Sequence, residues 1–161
     1  MTSEAVGGSR IRMDQDLELQ VVEPLIEHGY FKYKYEVLAF AAAVAFRSGV
    51  AEDIASPGKN DIKLDYFREG HDLVIDLLAI ETDPESDKDD IVRLAAIGDA
   101  ALTGRLRLFE RYANAGLREM KRECFESEGS ALEGLVRLVE RLALKDAPDL
   151  DDEIGSLAQT F

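Results

Sequence analysis

The stretch from Tyr35 to Phe46 places the strongest constraint on the fold, because nearly all of its side chains are apolar. It reads YEVLAFAAAVAF, and Gly49 follows shortly after it. A helix that is apolar on every side has to be surrounded by other parts of the protein. Its alanines allow neighbouring helices to approach closely, and Gly49 is typical of a helix end. The sequence therefore predicts a buried helix around which the rest of the chain packs.

A first amphipathic helix is predicted before this buried helix. Asp14 is a typical N-cap, and Gly29 supplies a C-terminal break. The apolar face of this helix consists of Leu17, Val21, Val22, Leu25 and Ile26. The preceding residues 10–13, RIRM, fit either one short N-terminal strand or an extended lead-in segment.

Further helical patterns follow the buried helix. Short helices are predicted for residues 61–70 and 71–82. A long helix is predicted for residues 89–125, in which Gly98 and Gly104 favour a break or a kink. A capping box that starts at Ser130 begins the last helix. No internal repeat is present. The prediction is an all-α, compact single-domain bundle of about six helices.

The acidic residues divide the chain into a body and two acidic segments. Most of the net charge of −14 lies in ETDPESDKDD, which starts at Glu81, and in DAPDLDDE, which starts at Asp146. We expect residues 1–9 to be a disordered leader, residues 10–146 the helical domain and residues 147–161 an acidic tail. The body is only mildly acidic, and screening over about 8–10 Å leaves room for a local basic face.

The cysteine content and the hydropathy point to the cytoplasm. The single cysteine, Cys124, has no partner for an internal disulfide, which fits a reducing compartment. The most apolar run, VLAFAAAVAF, has ten residues, whereas a membrane helix needs about 20. We therefore expect a cytoplasmic protein without a membrane partner.

No motif for catalysis or metal binding is present. His28 and His71 occur in no zinc-ligand spacing. The acidic run from Asp83 alternates carboxylates as a calcium loop does, but Lys88 stands where that loop needs Gly and Leu94 where it needs Glu. Phosphate-loop, nucleophile-elbow and dinucleotide motifs are missing. We assign no catalytic residue, no metal site and no cofactor, and we expect Cys124 to be a core residue.

One apolar stripe is predicted along the long helix, at helical spacing of about 100° per residue. It consists of Leu106, Phe109, Ala113, Gly116, Leu117, Met120 and Cys124. Gly116 has no side chain, so another backbone could pack closely there, and the Ala-rich segment 40–45 is the natural partner. Asn114 lies beside the stripe, where we expect its side chain to hydrogen-bond to a neighbouring loop or turn.

The opposite face of the long helix is basic. Arg107, Arg111, Arg118 and Arg122, here called the arginine stripe, fall within about 60° of one another. One interpretation is a solvated face paired to Glu110, Glu119 and Glu123 at helical spacings. The other is a binding stripe for DNA phosphates or an acidic partner, because Arg suits bidentate contacts. The candidate binding residues are Arg107, Arg111, Asn114, Arg118, Lys121 and Arg122.

A second candidate surface is the segment YFKYKY, in which Lys32 and Lys34 alternate with aromatic residues. Lysines beside aromatic rings are typical of single-stranded nucleic-acid binding. Alternatively, aromatic side chains at a helix entrance cap the core. Arg10 and Arg12 could extend either basic surface.

Three segments together, FKYKYEVLAFAAAVAFRSG, LLAIETD and LFERYANAGLREMKRE, resemble the Dnd system-associated protein 4 family over residues 10–126. The most specific part is an aromatic-Ala-Asn-x-Gly-Leu pattern, formed by Tyr112, Ala113, Asn114, Gly116 and Leu117. Ala115 departs mildly from the family, whose members often have Gly there. Members are encoded beside genes for DNA phosphorothioation, in which sulfur replaces a non-bridging backbone oxygen.

The resemblance implies a bacterial or archaeal anti-phage defence context and brings no catalytic residues. Our first hypothesis is a non-enzymatic accessory protein that contacts DNA or a larger Dnd-type modification or restriction protein through the arginine stripe. The alternatives are a metal-dependent nuclease or nickase of the same system, and a structural subunit whose apolar helix faces form a homo-oligomer.

Overall fold

The computed structural model describes residues 10–67, 73–82 and 99–144. Its helices are α1 (Gln15–Leu17), which continues through a π-turn (Glu18–Val22) into α2 (Glu23–Glu27), then α3 (Lys34–Ser48), α4 (Leu73–Thr82), α5 (Asp99–Phe125) and α6 (Ala131–Leu144). Two short strands, β1 (Arg10–Ile11) and β2 (Ile62–Lys63), pair in antiparallel register. A 3₁₀ turn, Leu64–Tyr66, follows β2 directly. The mainly α prediction is confirmed, as is the short N-terminal strand.

Helix α3 lies at the centre of the described core. Its residues Val37, Ala41 and Ala42 are fully buried, and Ala43 is its one exposed alanine. At its start, the carboxylate of Glu36 accepts hydrogen bonds from the backbone N–H groups of two residues that precede the helix. At its end, Gly49 adopts a left-handed conformation with φ of 72°, which favours glycine. The predicted buried helix is confirmed.

The packing of α3 on α5 depends on Gly116. A Cβ atom built there would lie 1.8 Å from the carbonyl oxygen of Ala41, far inside van der Waals contact. The two helix backbones therefore touch at this point, as the sequence predicts. The apolar stripe of α5 is buried around it, with Leu106, Phe109 and Met120 at 0% exposure.

Helix α6 packs on the other end of α5, again through a close backbone approach at a glycine. A Cβ atom at Gly134 would lie 2.4 Å from the carbonyl oxygen of Glu123. The predicted capping box starts this helix: the N–H of Ser130 donates to the Glu133 carboxylate at 3.0 Å, and the N–H of Glu133 donates to the Ser130 hydroxyl at 3.2 Å. Glycine thus sets both of the close contacts that α5 makes with its neighbouring helices.

The first helical segment, from α1 to α2, begins as predicted, and it contains a π-turn that was not predicted. The Asp14 carboxylate accepts from the N–H groups of Asp16 and Leu17, which makes it the N-cap. The π-turn ends two residues before Pro24, a residue that has no N–H to donate and whose ring crowds the carbonyl four residues earlier. A π-helical turn, in which the hydrogen bonds join residues five apart instead of four, is one way for a helix to continue past such a residue.

Two local predictions are wrong. Helix α5 runs through Gly104 without a break, because packing along its buried stripe outweighs the roughly 1 kcal/mol helix penalty of one glycine. Gly98, the other predicted position, lies outside the described residues. The segment 61–70 does not begin as a helix, since Ile62 and Lys63 pair with β1, a long-range contact that local periodicity does not reveal. The predicted leader 1–9, the acidic segment 83–90 and the tail 147–161 lie outside the described residues.

Gly116→Ala tests the contact between α3 and α5. We expect it to lower the free energy of unfolding by about 3 kcal/mol or more, because the new methyl group overlaps the Ala41 carbonyl and the helices have to separate. Urea denaturation monitored by circular dichroism measures this change.

Gly104→Ala is the matched control on the same helix, since nothing lies within 4 Å of a Cβ atom at that position. It should stabilise the protein by about 0.5–1 kcal/mol. Equal stability of the two variants would show that the backbones do not touch at Gly116.

Candidate binding surfaces

A loop after α3 is held on α5 through Asn114. The Asn114 side-chain amide donates hydrogen bonds to the carbonyl oxygens of Glu52 at 3.3 Å and Asp53 at 3.0 Å. In return, the N–H of Glu52 donates to the carbonyl oxygen of Arg111 at 3.0 Å. Asn114 is only 2% exposed. The predicted loop contact of Asn114 is confirmed, and it makes this residue a structural clamp for residues 52–53.

Two members of the arginine stripe reinforce the same clamp. Arg111 Nε lies 2.9 Å from the Asp53 carboxylate, and Arg118 Nε lies 2.9 Å from the Glu52 carboxylate. Exposed ion pairs of this kind contribute only about 0–1 kcal/mol each. These ion pairs nevertheless place a carboxylate beside each of two arginines that the sequence predicts as binding residues for DNA or an acidic partner.

A third member of the stripe points toward a buried carboxylate. Glu110 is 2% exposed and forms ion pairs with Arg107 and with Arg12. The backbone N–H of Arg12 also donates to this carboxylate at 2.7 Å. The side-chain hydrogen bond to Glu110 raises the pKa of Arg12, against the opposite effect of burial. This cluster joins β1 to α5, so Arg12 and Arg107 act as structural cations.

Two arginines of the stripe and the neighbouring Lys121 line a shallow depression. Arg118, Lys121 and Arg122 line it together with three acidic residues, Glu52, Glu119 and Glu126, and its volume is about 380 Å³. Lys121 Nζ lies 3.4 Å from the Glu126 carboxylate. Arg122 is exposed, and among the described residues its side chain forms no ion pair. The structure thus brings three of the predicted binding residues together at this depression, which Arg107 and Arg111 do not line.

The predicted ion-pair partners of the stripe are correct only in part. Glu110 does pair with Arg107. Glu119 and Glu123 pair instead with α6, through Arg141 and Arg137, with one oxygen–nitrogen distance of 3.2 Å in each pair. Partners from another helix or loop are available only after folding, so helical spacing alone could not identify them.

The YFKYKY segment both caps the core and exposes two rings. Phe31 packs on Phe40 at 5.7 Å, and Tyr35 packs on Phe67 at 5.5 Å between ring centroids. Tyr30 and Tyr33 are 37% and 45% exposed, respectively. Core capping is therefore confirmed for two of the aromatic residues.

The lysines of this segment and Arg10 differ in their surroundings. Lys34 Nζ lies 2.5 Å from the carboxylate of Glu18, itself 3% exposed, and 3.9 Å from that of Glu23. Lys32 Nζ lies 5.1 Å from the centroid of the Tyr33 ring. Arg10 is exposed on β1. The ammonium group of Lys34 is thus largely committed to carboxylates of its own chain.

A cavity lies beside this segment. We call it the tyrosine cleft; it measures about 590 Å³ and is lined by Tyr33, Lys34, Tyr35, Asn60, Asp61, Ile62 and Tyr66. Sequence reasoning missed Asn60, Asp61 and Tyr66. They reach the aromatic segment because β2 pairs with β1, and that pairing left no signal in local periodicity.

A second surface that sequence reasoning missed lies on α6. Leu132, Val136 and Val139 are 49%, 47% and 51% exposed, and their spacing of four and three residues places them on one face. Exposed Ala143 continues this face. We call these four residues the α6 stripe. The contact of α6 with the core involves Gly134, Leu135 and Leu138. The apolar face that the sequence gives this helix is wider than that contact requires, and this excess width was the signal for an exposed surface.

The described residues contain no group of three or more His, Cys, Asp or Glu side chains arranged to hold a metal ion. Nor is any described helix long and apolar enough to cross a membrane. His28 stacks on Tyr30 at 5.7 Å, and His71 lies outside the described residues.

Burial raises the pKa of the Cys124 thiol to about 11, and the neighbouring Glu123 carboxylate acts in the same direction. The prediction that Cys124 is a core residue is confirmed by its 3% exposure.

A family model described as DNA sulphur modification system-associated protein 4 matches residues 10–155 of the chain. The match extends beyond residue 126, where the resemblance was expected to end, and includes much of the acidic tail. No curated protein and no solved structure matches the chain.

Asn114→Ala tests the clamp on residues 52–53. We expect it to lower the free energy of unfolding by about 1–3 kcal/mol, because two partly buried backbone carbonyls lose their donor. Arg118→Ala, which removes only an exposed ion pair, should cost less than about 1 kcal/mol. Hydrogen exchange of the Glu52 N–H measures the local effect, and unchanged protection in Asn114→Ala would contradict the clamp.

The reactivity of Cys124 tests its burial. At pH 8 the native thiol should react with iodoacetamide at least about 100-fold more slowly than the urea-unfolded protein, because a raised pKa lowers the thiolate fraction and burial blocks access. Similar rates in both states would show that Cys124 is exposed.

Proposed function

The chain belongs to the family of DNA sulphur modification system-associated protein 4, and we propose that it is a non-enzymatic binding subunit that docks on a larger modification or restriction protein of such a system. The observation that carries this proposal is the α6 stripe. Three large apolar side chains, each about half exposed, lie in one row on a surface helix. Contiguous exposed apolar patches of this kind are typical of protein interfaces.

The spacing of the α6 stripe favours a helix as its partner. Positions 132, 136, 139 and 143 alternate by four and three residues, as the seam of two packed helices does. With its 14 residues, α6 offers a contact about 21 Å long, and the exposed carboxylates of Glu133 and Glu140 lie along one side of it. We propose an apolar helix with basic flanking residues, contributed by the larger protein.

DNA contact through the arginine stripe is the second candidate function. It is supported by the depression between Arg118, Lys121 and Arg122, because weak exposed ion pairs can exchange their carboxylates for phosphates. Against it stand the carboxylates that already neutralise Arg107, Arg111 and Arg118. The net charge of −14 also opposes approach to DNA. We therefore rank the protein partner first.

Val136→Asp combined with Val139→Asp tests this ranking. We expect the double variant to lose affinity for its co-expressed, purified partner from the system by about 30-fold or more, since burying a charge in an interface core costs about 2 kcal/mol or more. Leu19→Asp is the matched control, because Leu19 is an equally exposed apolar residue, at 55%, outside α6. Isothermal titration calorimetry with each partner measures the affinities.

Both variants should keep the wild-type melting temperature within about 3 °C, because surface substitutions change stability little. Wild-type affinity in the double variant would contradict the proposal. Light scattering of the protein alone separates a further outcome: a wild-type dimer that the double variant dissociates would make the stripe a self-interface instead.

A further inference from the structure

Three tyrosine side chains line the tyrosine cleft. Tyr33 stacks on Tyr35 with ring centroids 5.3 Å apart and planes inclined by 15°. Tyr66, on the 3₁₀ turn after β2, leaves 53% of its surface exposed. Ile62 adds a buried apolar contact, 8% exposed. These walls suit a flat group that stacks on tyrosine.

The charges around the cleft favour a cationic occupant. Lys34 is its only cationic lining residue, and two carboxylates, Glu18 and Glu23, already pair with it. Asp61 is the carboxylate of the lining; it forms no ion pair among the described residues, and its charge helps to raise the pKa of Arg12, a cation outside the lining. Because Glu18 and Glu23, which do not line the cleft, already pair with Lys34, Asp61 is the lining charge left for a cationic occupant, within a chain of net charge −14.

The protein itself places a cation against one of these rings. The ammonium group of Lys32 lies 5.1 Å from the Tyr33 ring centroid, within the range of a cation–π contact. Tyr66 offers a second tyrosine face in the same cleft and a nearby carboxylate, Asp61. A planar guanidinium group combines stacking on the ring with bidentate pairing to the carboxylate, whereas an ammonium group provides only a point charge.

We propose that the tyrosine cleft receives an arginine side chain of the partner protein, which stacks on Tyr66 and pairs with Asp61. This inference rests on the proposed function, since it assigns a second contact to the same protein partner. A nucleotide is the disfavoured occupant, because its phosphate would approach Asp61 and Glu23. Arginine and tyrosine are also the residues that most often dominate the energetics of protein interfaces.

The probe is the peptide acetyl-Gly-Arg-Gly-amide, titrated into the full chain and followed by NMR shifts of the tyrosine ring signals. We expect saturable shifts of the Tyr33 and Tyr66 signals. The isosteric citrulline peptide, which lacks the charge, should bind about tenfold more weakly. Equal shifts with citrulline, or binding of a thymidine oligonucleotide in place of the arginine peptide, would overturn the proposal.

Asp61→Asn and Tyr66→Ala each remove one arm of the proposed contact. We expect each to weaken binding of the arginine peptide by about fivefold to tenfold. Asp65→Asn is the matched control, because Asp65 is an exposed carboxylate next to Tyr66 in sequence that does not line the cleft. Wild-type affinity in both cleft variants would contradict the assignment.

The double α6 stripe variant separates this inference from the proposed function. Peptide binding should be unchanged in that variant, since it leaves the cleft intact. If peptide binding fails while the α6 stripe is needed for the partner, only the cleft assignment is wrong. If the arginine peptide binds but the stripe variant keeps full partner affinity, the docking surface on α6 is wrong instead.

Discussion

The contact between the backbones of α3 and α5 is the constraint on which the rest of the structure depends. It exists because Gly116 has no side chain and because Ala41 presents its carbonyl at that point. With the helices this close, Asn114 can bind the loop that leaves α3. Tyr112 meets Phe46 edge-on at 5.9 Å on the same pair of helices. The pattern Tyr-Ala-Asn-x-Gly-Leu is thus explained as a packing motif, and no residue in it needs a catalytic role.

The same packing determines which cations remain available to a partner. Arg12 and Arg107 satisfy the buried Glu110, while Arg111 and Arg118 bind the loop that Asn114 holds. In the folded protein, three of the four arginines of the stripe are therefore paired with carboxylates of the same chain, two of them through exposed ion pairs. In the described part of the chain, we propose the α6 stripe and the tyrosine cleft as the protein-binding sites.

The sequence was most informative where the residues of a single helix are enough to predict its ends and the face that it buries. The buried helix from Tyr35, the N-cap Asp14, the end at Gly49 and the close approach at Gly116 follow from composition and helical spacing, and all are found in the structure. It was least informative where distant segments meet. The strand pairing of Ile62, the carboxylates that neutralise the arginine stripe, and the residues that complete the tyrosine cleft all depend on contacts that local periodicity does not encode.

The central claim is that the arginine stripe braces the fold and that the partner is a protein. Its most direct test is the binding of the purified protein to duplex DNA, with and without phosphorothioate links, at 50 mM and 200 mM salt. The account predicts no salt-sensitive binding to either duplex under these conditions. Tight binding at low salt that falls by about tenfold or more at high salt would contradict it, and a preference for the sulfur-containing duplex would make the protein a reader of the modification.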